Sequence, residues 1–280
     1  MPASNARALE KAKTLPADAL VFDLEDAVAP DAKESARAMA CAAARSGGYG
    51  RSEIVIRVNG LATPWGEADL AAVAGSGADA VLLPKVEDAE GVREALRVLE
   101  AHGAPESLAV WCMLETPRGI LRAEAVAAAS PRVAALVMGT SDLTKDLHAR
   151  HTRDRHPLVT SLGLCVLAAR AHGLAALDGV HLDLDDEPGF AAACHQAREM
   201  GFDGKTLIHP KTIALANEIF APSPEEIGWA RRVMAAHAEA TAQGKGVVVV
   251  DGRLVENLHV EEAQRLVALA DAIAERQATP

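Results

Sequence analysis

Residues 110–119, VWCMLETPRG, run apolar for five positions and then present a carboxylate, a hydroxyl, a proline and an arginine in succession. A strand enclosed on both faces must be apolar on both, so it reads as a short continuous hydrophobic run rather than an alternation. The segment LAVWCML (108–114) is such a run. Proline cannot donate to a sheet ladder and suits the first turn of a helix, so Pro117 predicts a strand that stops and a helix that starts. Glu115 then stands where a strand hands over to a loop. The pattern returns in AALVMGTSDLTKDL (134–147), where an apolar run reaches Gly139 and then Asp142.

Seven segments share this form: ALVFDLED (19–26), EIVIRVNG (53–60), AVLLPKVED (80–88), LAVWCMLET (108–116), AALVMGTSD (134–142), AALDGVHLD (175–183) and DGKTLIHP (203–210). Between them lie helical patterns such as DAKESARAMACAAAR (31–45), DAEGVREALRVLEAHG (88–103) and EPGFAAACHQAREMG (187–201), opened by Asp, Glu or Pro, and several closed by Gly. Repeated strand–helix units imply a parallel sheet with right-handed crossovers. The expected fold is α/β, a (β/α)8 TIM barrel over residues 1–220 with its first strand truncated. MPASNARALEKAKTL resembles a strand end entering a helix.

After about residue 220 the barrel pattern ends. FAPSPEE opens a helix to about Gln243, and GKGVVVVDGRLVENLHVEEAQRL follows. Asp251-Gly252 between apolar residues is the signal of a type I′ hairpin, so residues 221–280 are expected to form a helix, hairpin and helix. A valine-rich hairpin outside a closed barrel leaves apolar surface that predicts contact with another subunit.

Half of the 280 residues are hydrophobic but only 3% are aromatic, so Ala, Val and Leu must fill the core, as in helices packed on a sheet. With 28 basic and 39 acidic residues the net charge is −11, and no basic stripe offers itself to phosphates; nucleic acid is excluded as a partner. Cys41, Cys112, Cys165 and Cys194 lack metal or redox spacing and read as buried free thiols. No apolar run reaches the roughly 18 residues of a membrane span and no signal-peptide pattern opens the chain, which makes a cytoplasmic location the expectation and a membrane an unlooked-for partner.

In a barrel, functional groups gather at the C-terminal ends of the strands. By this register Glu25, Arg57, Lys85, Glu115, Asp142 and His209 fall there. Two carboxylates with an open face suit magnesium, a hard cation that takes oxygen ligands. His148, His151 and His156 form a loose group read as a solvated loop. Arg57 needs an acidic partner on a buried strand, with Glu25 and Asp26 the candidates. Glu25 and Asp26 read either as acids that orient neighbouring groups or as helix caps. Lys85 pairs with a site acid or with Glu87, and His209 meets a ligand or caps a loop. Arg7 and Lys11, at i and i+4, share a helix face.

FDLEDAVAPDAK, IRVNG, LLPKVED, LETPRG, GTSDLTKDL and GFDGKTLIHP, in this order along essentially the whole chain, resemble the family of citrate lyase beta subunits and malyl-CoA or citramalyl-CoA lyases, within the HpcH/HpaI-type aldolases. The resemblance implies a (β/α)8 barrel in which Glu115 and Asp142 bind magnesium, with manganese as a substitute. It also implies that Arg57 contacts the thioester or carboxylate oxygen of the substrate, that Gly139 and Thr140 grip an oxo-acid carboxylate through their amides, and that Arg7 and Lys11 meet coenzyme A phosphates. In that family the C-terminal segment closes over a neighbouring subunit of a trimer, and an aspartate in a G-x-M-x-D-x-P pattern transfers a proton. Here GRLVENLHV puts Glu256 at that aspartate and Leu258 at the proline.

The function so implied is reversible carbon–carbon cleavage of a 3-hydroxyacyl-CoA of the malyl, methylmalyl or citramalyl type to an acyl-CoA and a 2-oxo acid, by a homotrimer or hexamer. A CoA-free 2-oxo acid aldolase, a malyl-CoA thioesterase and a citrate lyase beta subunit dependent on an acyl-carrier partner are the alternatives.

Overall fold

A computed structural model describes residues 1–244 and 246–278, and the chain divides into two compact units, Met1–Ala216 and Asn217–Pro280. In the first unit the strands are β1 (Ala19–Asp23), β2 (Glu53–Arg57), β3 (Ala80–Leu83), β4 (Ala109–Leu114), β5 (Val133–Met138), β6 (Ala175–Asp178) and β7 (Gly204–Lys205). The helices are α1 (Ala6–Ala12), α2 (Lys33–Ser46), α3 (Gly66–Ala74), α4 (Ala89–Ala101), α5 (Pro117–Leu121), α6 (Ala123–Ala127), α7 (Thr140–Asp146), α8 (Val159–Ala171) and α9 (Glu187–Met200), while α10 (Ile213–Phe220) crosses the division. All seven strand segments expected from the sequence form.

The strands are parallel and lie in strict chain order from β1 to β7. Right-handed crossovers in such an order put every helix on one face, so the other face must be buried on itself; this is the curled sheet of the (β/α) barrel class. Beside β1, where a further strand would pair, Met1–Ala3 run parallel to it through one bridge, Pro2 to Asp23, with Asp23 N–H donating to Met1 O and Ala3 N–H to Asp23 O, both at 2.9 Å.

Side chains alternate across a strand. Val55, Ala80, Leu82, Trp111, Met113, Ala135 and Val137 form one buried cluster, joined by Ala19, Val21, Ala109 and Leu177, and this is the inner face. Ile54, Ile56, Val81, Cys112, Leu136 and Met138 alternate with them and are also buried. The inner alternation carries on to the ends of four strands and beyond: Asp23 follows Val21, Arg57 follows Val55, Glu115 follows Met113 and Gly139 follows Val137. The same period that builds the core therefore delivers the polar residues to one rim.

The second unit holds α11 (Pro224–Ala242), the hairpin β8 (Val248–Val250) and β9 (Arg253–Val255), and α12 (Asn257–Ala278). Ser223 and Glu226 cap α11 reciprocally. Asp251 and Gly252 have φ of 48° and 76°, the two positive angles that a type I′ turn requires. Ala230, Val233, Val250, Val255 and Ala263 form this unit's own core.

At the expected strand-to-helix junction, Thr116 caps α5 by accepting from Gly119 N–H at 3.0 Å, and Pro117 takes the first turn. Gly119 has no room for a side chain, since a Cβ there would collide with the carbonyl oxygen of Val86. Gly119→Ala is expected to lower stability by roughly 1–3 kcal/mol, read as a lower urea midpoint with unchanged slope; an unchanged midpoint would mean that the loop after β3 yields freely.

Candidate functional site

Asp23, at the end of β1, is 4% exposed and receives two parallel bonds from Arg57 at the end of β2, Nε to Oδ1 at 2.7 Å and Nη2 to Oδ2 at 2.6 Å. The amides of Glu25 and Ala27 also donate to its carboxylate, at 2.8 and 3.2 Å. Burial alone would raise its pKa, but the guanidinium and these amides hold the carboxyl below its ordinary value. Arg57 in turn is raised: burial opposes its charge, and Asp23, then Glu25 and Glu115, restore it. Arg57 Nη1 lies 3.0 Å from Glu25 Oε2, so the expected bridge to Glu25 exists beside a stronger one to Asp23, a residue the sequence reading passed over.

Glu25 pairs through its other oxygen with the ammonium of Lys85. Its Oε2 is buried and, despite Arg57 nearby, has no hydrogen bond of good geometry. Burial pushes the Glu25 carboxyl up, against the pull of Lys85 and Arg57. Neither Glu25 nor Asp26 caps a helix, because α2 is preceded by Ala32. The open question about Lys85 resolves toward the site: its Nζ also lies 3.7 Å from Asp26 and 3.8 Å from Asp142, whereas Glu87 pairs with Arg118. Lys85 reaches this position from a left-handed backbone, φ 49°, which turns its own N–H onto Glu115 Oε1 at 2.8 Å. One residue thus ties Glu25 to Glu115.

Glu115 is 2% exposed. Burial pushes its carboxyl up to about 7, against Lys85 and the bond from the Lys85 amide. Gly139 faces it, and a Cβ there would collide with Glu115 Cβ and Oε2, so the missing side chain of Gly139 is what leaves room for the carboxylate. The Gly139 amide is not available to a ligand as the resemblance implied; it donates to Leu114 O at 3.0 Å in the sheet. Thr140 opens α7, where amides lack intrahelical acceptors. Asp142, in the first turn of α7, is a quarter exposed and pairs with Lys145 at 3.2 Å.

Among the described residues no three His, Cys, Asp or Glu side chains gather as a complete metal cage, and His148, His151 and His156 are exposed. Magnesium needs only one or two carboxylates with water and ligand oxygens. Glu115 and Asp142 supply two hard oxygen donors, the first buried so deeply that its charge calls for a cation, and the donor set fits the ion.

Arg7, Lys11 and His209, in the same unit, form no ion pair with this cluster among the described residues. Arg7 and Lys11 are exposed on α1, where Glu10 pairs with Lys13 instead, at 2.8 Å. Glu256 is exposed in the second unit at the start of α12, its N–H donating to His259 Nδ1 at 3.0 Å. His209 caps the short turn Pro210–Thr212 and is exposed. A second buried charge group closes the β6 and β7 ends, where Asp178 accepts from Lys205 at 2.5 Å and from Arg155. Alternation along ALVFD could have found Asp23; nothing local signalled Asp178.

A family model described as HpcH/HpaI aldolase/citrate lyase matches residues 1–210. The chain is 51% identical to a (3S)-malyl-CoA thioesterase of Cereibacter sphaeroides, over 98% of this chain and 94% of the relative. It is 34% identical to the L-malyl-CoA/beta-methylmalyl-CoA lyase of the same organism, over 97% and 93%. The crystal structure of CitE from Mycobacterium tuberculosis in complex with magnesium, acetoacetate and coenzyme A superposes with a TM-score of 0.79 at 31% identity, over 97% of this chain and 96% of that one.

The Glu115 carboxyl gives a pH test. Its pKa is raised from 4.5 to about 7 on folding, so the folded chain keeps a proton that the unfolded chain releases. The stability it contributes is whole below pH 4.5 and is lost as pH rises through 7, by on the order of 3 kcal/mol. In EDTA at pH 8, Glu115→Gln is expected to melt higher than wild type, and at pH 4.5 to match it. A lower melting temperature at pH 8 would show that the carboxylate charge is already compensated.

Proposed function

Because the chain belongs to the HpcH/HpaI aldolase/citrate lyase family, we propose that it is a magnesium-dependent enzyme acting on a malyl-CoA-type 3-hydroxyacyl thioester, with hydrolysis to the free acid and coenzyme A as its net reaction. The observation that carries this reading is the buried Glu115 carboxylate beside Gly139, with Asp142, Lys85 and Arg57 around it, in a chain half identical to a malyl-CoA thioesterase. Glu115 and Asp142 would hold the ion. When bound, magnesium supplies Lewis-acid polarisation of substrate oxygens.

The chain's own residues do the rest. Asp23 holds the Arg57 guanidinium in one orientation, so that its positive charge meets a developing oxyanion without reorganising. Lys85, less than half exposed, brings a second positive charge to the same rim. Glu25 and Asp26 orient these cations. Arg7 and Lys11 offer an exposed basic face to the phosphates of coenzyme A. Hydrolysis adds water across the thioester bond and requires no acid to protonate a carbon, which is consistent with Glu256 standing where the lyase pattern has aspartate.

Carbon–carbon cleavage to an acyl-CoA and a 2-oxo acid is the second reading, favoured by the likeness to the malyl-CoA lyase. In that reaction Glu256 would be the proton donor to the enolate carbon, from an adjacent copy of the chain. The exposed Val249 and Leu254 of the hairpin support a homo-oligomer, a trimer or hexamer.

Purified protein with magnesium and malyl-CoA is expected to release free thiol without 2-oxo acid. Oxo acid without thiol would overturn hydrolysis in favour of the lyase, and citramalyl-CoA and methylmalyl-CoA in parallel would name the acyl group. Asp142→Ala should abolish magnesium-dependent turnover with the fold intact by circular dichroism; retained turnover would remove Asp142 from the metal assignment.

A further inference from the structure

Lys33 is the first residue of α2 and is 5% exposed. Both facts are unfavourable for an ammonium: burial strips its water, and the N-terminus of a helix repels positive charge. Among the described residues no carboxylate lies within ion-pair distance of it. Its three protons instead go to Leu24 O at 2.7 Å, Glu25 O at 2.6 Å and Asn59 Oδ1 at 2.7 Å, and its charge lies 5.3 Å from the centre of the Trp65 ring. The donor capacity of the ammonium is filled.

The acceptors are the point. Asn59 Nδ2 donates to the same Leu24 carbonyl at 2.9 Å and to Asp69 at 2.6 Å, and Asp69 is itself held by Arg37 at 2.6 Å. From the other side, Leu24 N–H donates to Arg57 O and Glu25 N–H to Asp23 Oδ1. Every backbone polar group of residues 24 and 25 is thereby engaged, just where the chain leaves β1 and must aim the Glu25 side chain between Arg57 and Lys85.

We propose that Lys33 is a positioning residue that fixes the backbone of Glu25 and so sets the geometry of the Glu25–Lys85–Arg57 group. Two burdens accepted at one lysine are offset by rigidity in the loop that carries Glu25. This rests on Glu25 being part of the active site, and the test separates the two claims.

The experiment is a double-mutant cycle on turnover with Lys33→Met and Glu25→Gln. Misplacement by about 1 Å can cost on the order of 100-fold in rate, so Lys33→Met should lower kcat by roughly 10- to 100-fold with KM changed by less than about 3-fold. A positioning residue that acts through Glu25 has little left to lose once Glu25 is gone. Glu25→Gln and the double variant should therefore have nearly equal kcat. Losses that multiply, or an unchanged kcat in folded Lys33→Met beside a low one in Glu25→Gln, would overturn the role of Lys33 alone. An unchanged kcat in Glu25→Gln would overturn both claims. Should Lys33→Met fail to fold, the same cycle with Asn59→Ala, which removes one of the shared bonds to Leu24 O, decides the matter by the same criterion.

Discussion

The bidentate pair between Asp23 and Arg57 joins the ends of two adjacent parallel strands, and the rest of the rim is arranged around it. An arginine pointing into the mouth of a barrel cannot remain unpaired, and a buried aspartate without its cation would take up a proton. Each is charged because the other is there. Removing either would leave a buried charge whose cost is several times that of losing an exposed ion pair. Through this pair the first two strands present a fixed guanidinium to everything that follows, beginning with Glu25 at 3.0 Å.

From there the charge passes outward in steps. Glu25 lies between Arg57 and Lys85, and Lys85 lies between Glu25 and Asp142 while its amide holds Glu115. Asp23, Glu25, Asp26, Glu115 and Asp142 make five acids, against the three cations Arg57, Lys85 and Lys145. The group carries an excess of negative charge, and burial, more than that excess, is what holds the Glu115 carboxyl up. A divalent cation answers both features at once. The left-handed backbone at Lys85 and the absent side chain at Gly139 are local concessions that make the spacing of these groups attainable.

Much of this was legible in the residues themselves. The seven strands, the stop at Thr116-Pro117 and the Asp251-Gly252 turn rest on local chemistry that any ten-residue window contains. Glu115, Arg57 and Glu25 were reachable because the two-residue alternation that marks a buried strand also predicts which residue leaves it facing inward, and Asp142 because an apolar run ends at Gly139 just before it. Asp23 obeyed the same rule and was obscured by the acids of LED that follow it. Lys33 and Asn59 were quoted within recognisable motifs, yet nothing in their neighbourhoods said that they meet each other across 26 positions.

By itself the sequence determined the order of strands and helices, the apolar content of both sheet faces, and the set of acids and bases delivered to the strand ends, because these depend on periods of two and of 3.6 residues and on single turn residues. Tertiary structure alone decided which of those charges share a partner. Arg57 could have paired with Asp23, Glu25 or Asp26, and Lys85 with Glu25 or Glu87; the parallel register of β1 on β2 and the turn at Lys85 chose among them. Ion pairs act over a few ångströms in space with no regard to separation along the chain, so the curled sheet had to exist before their partners were defined.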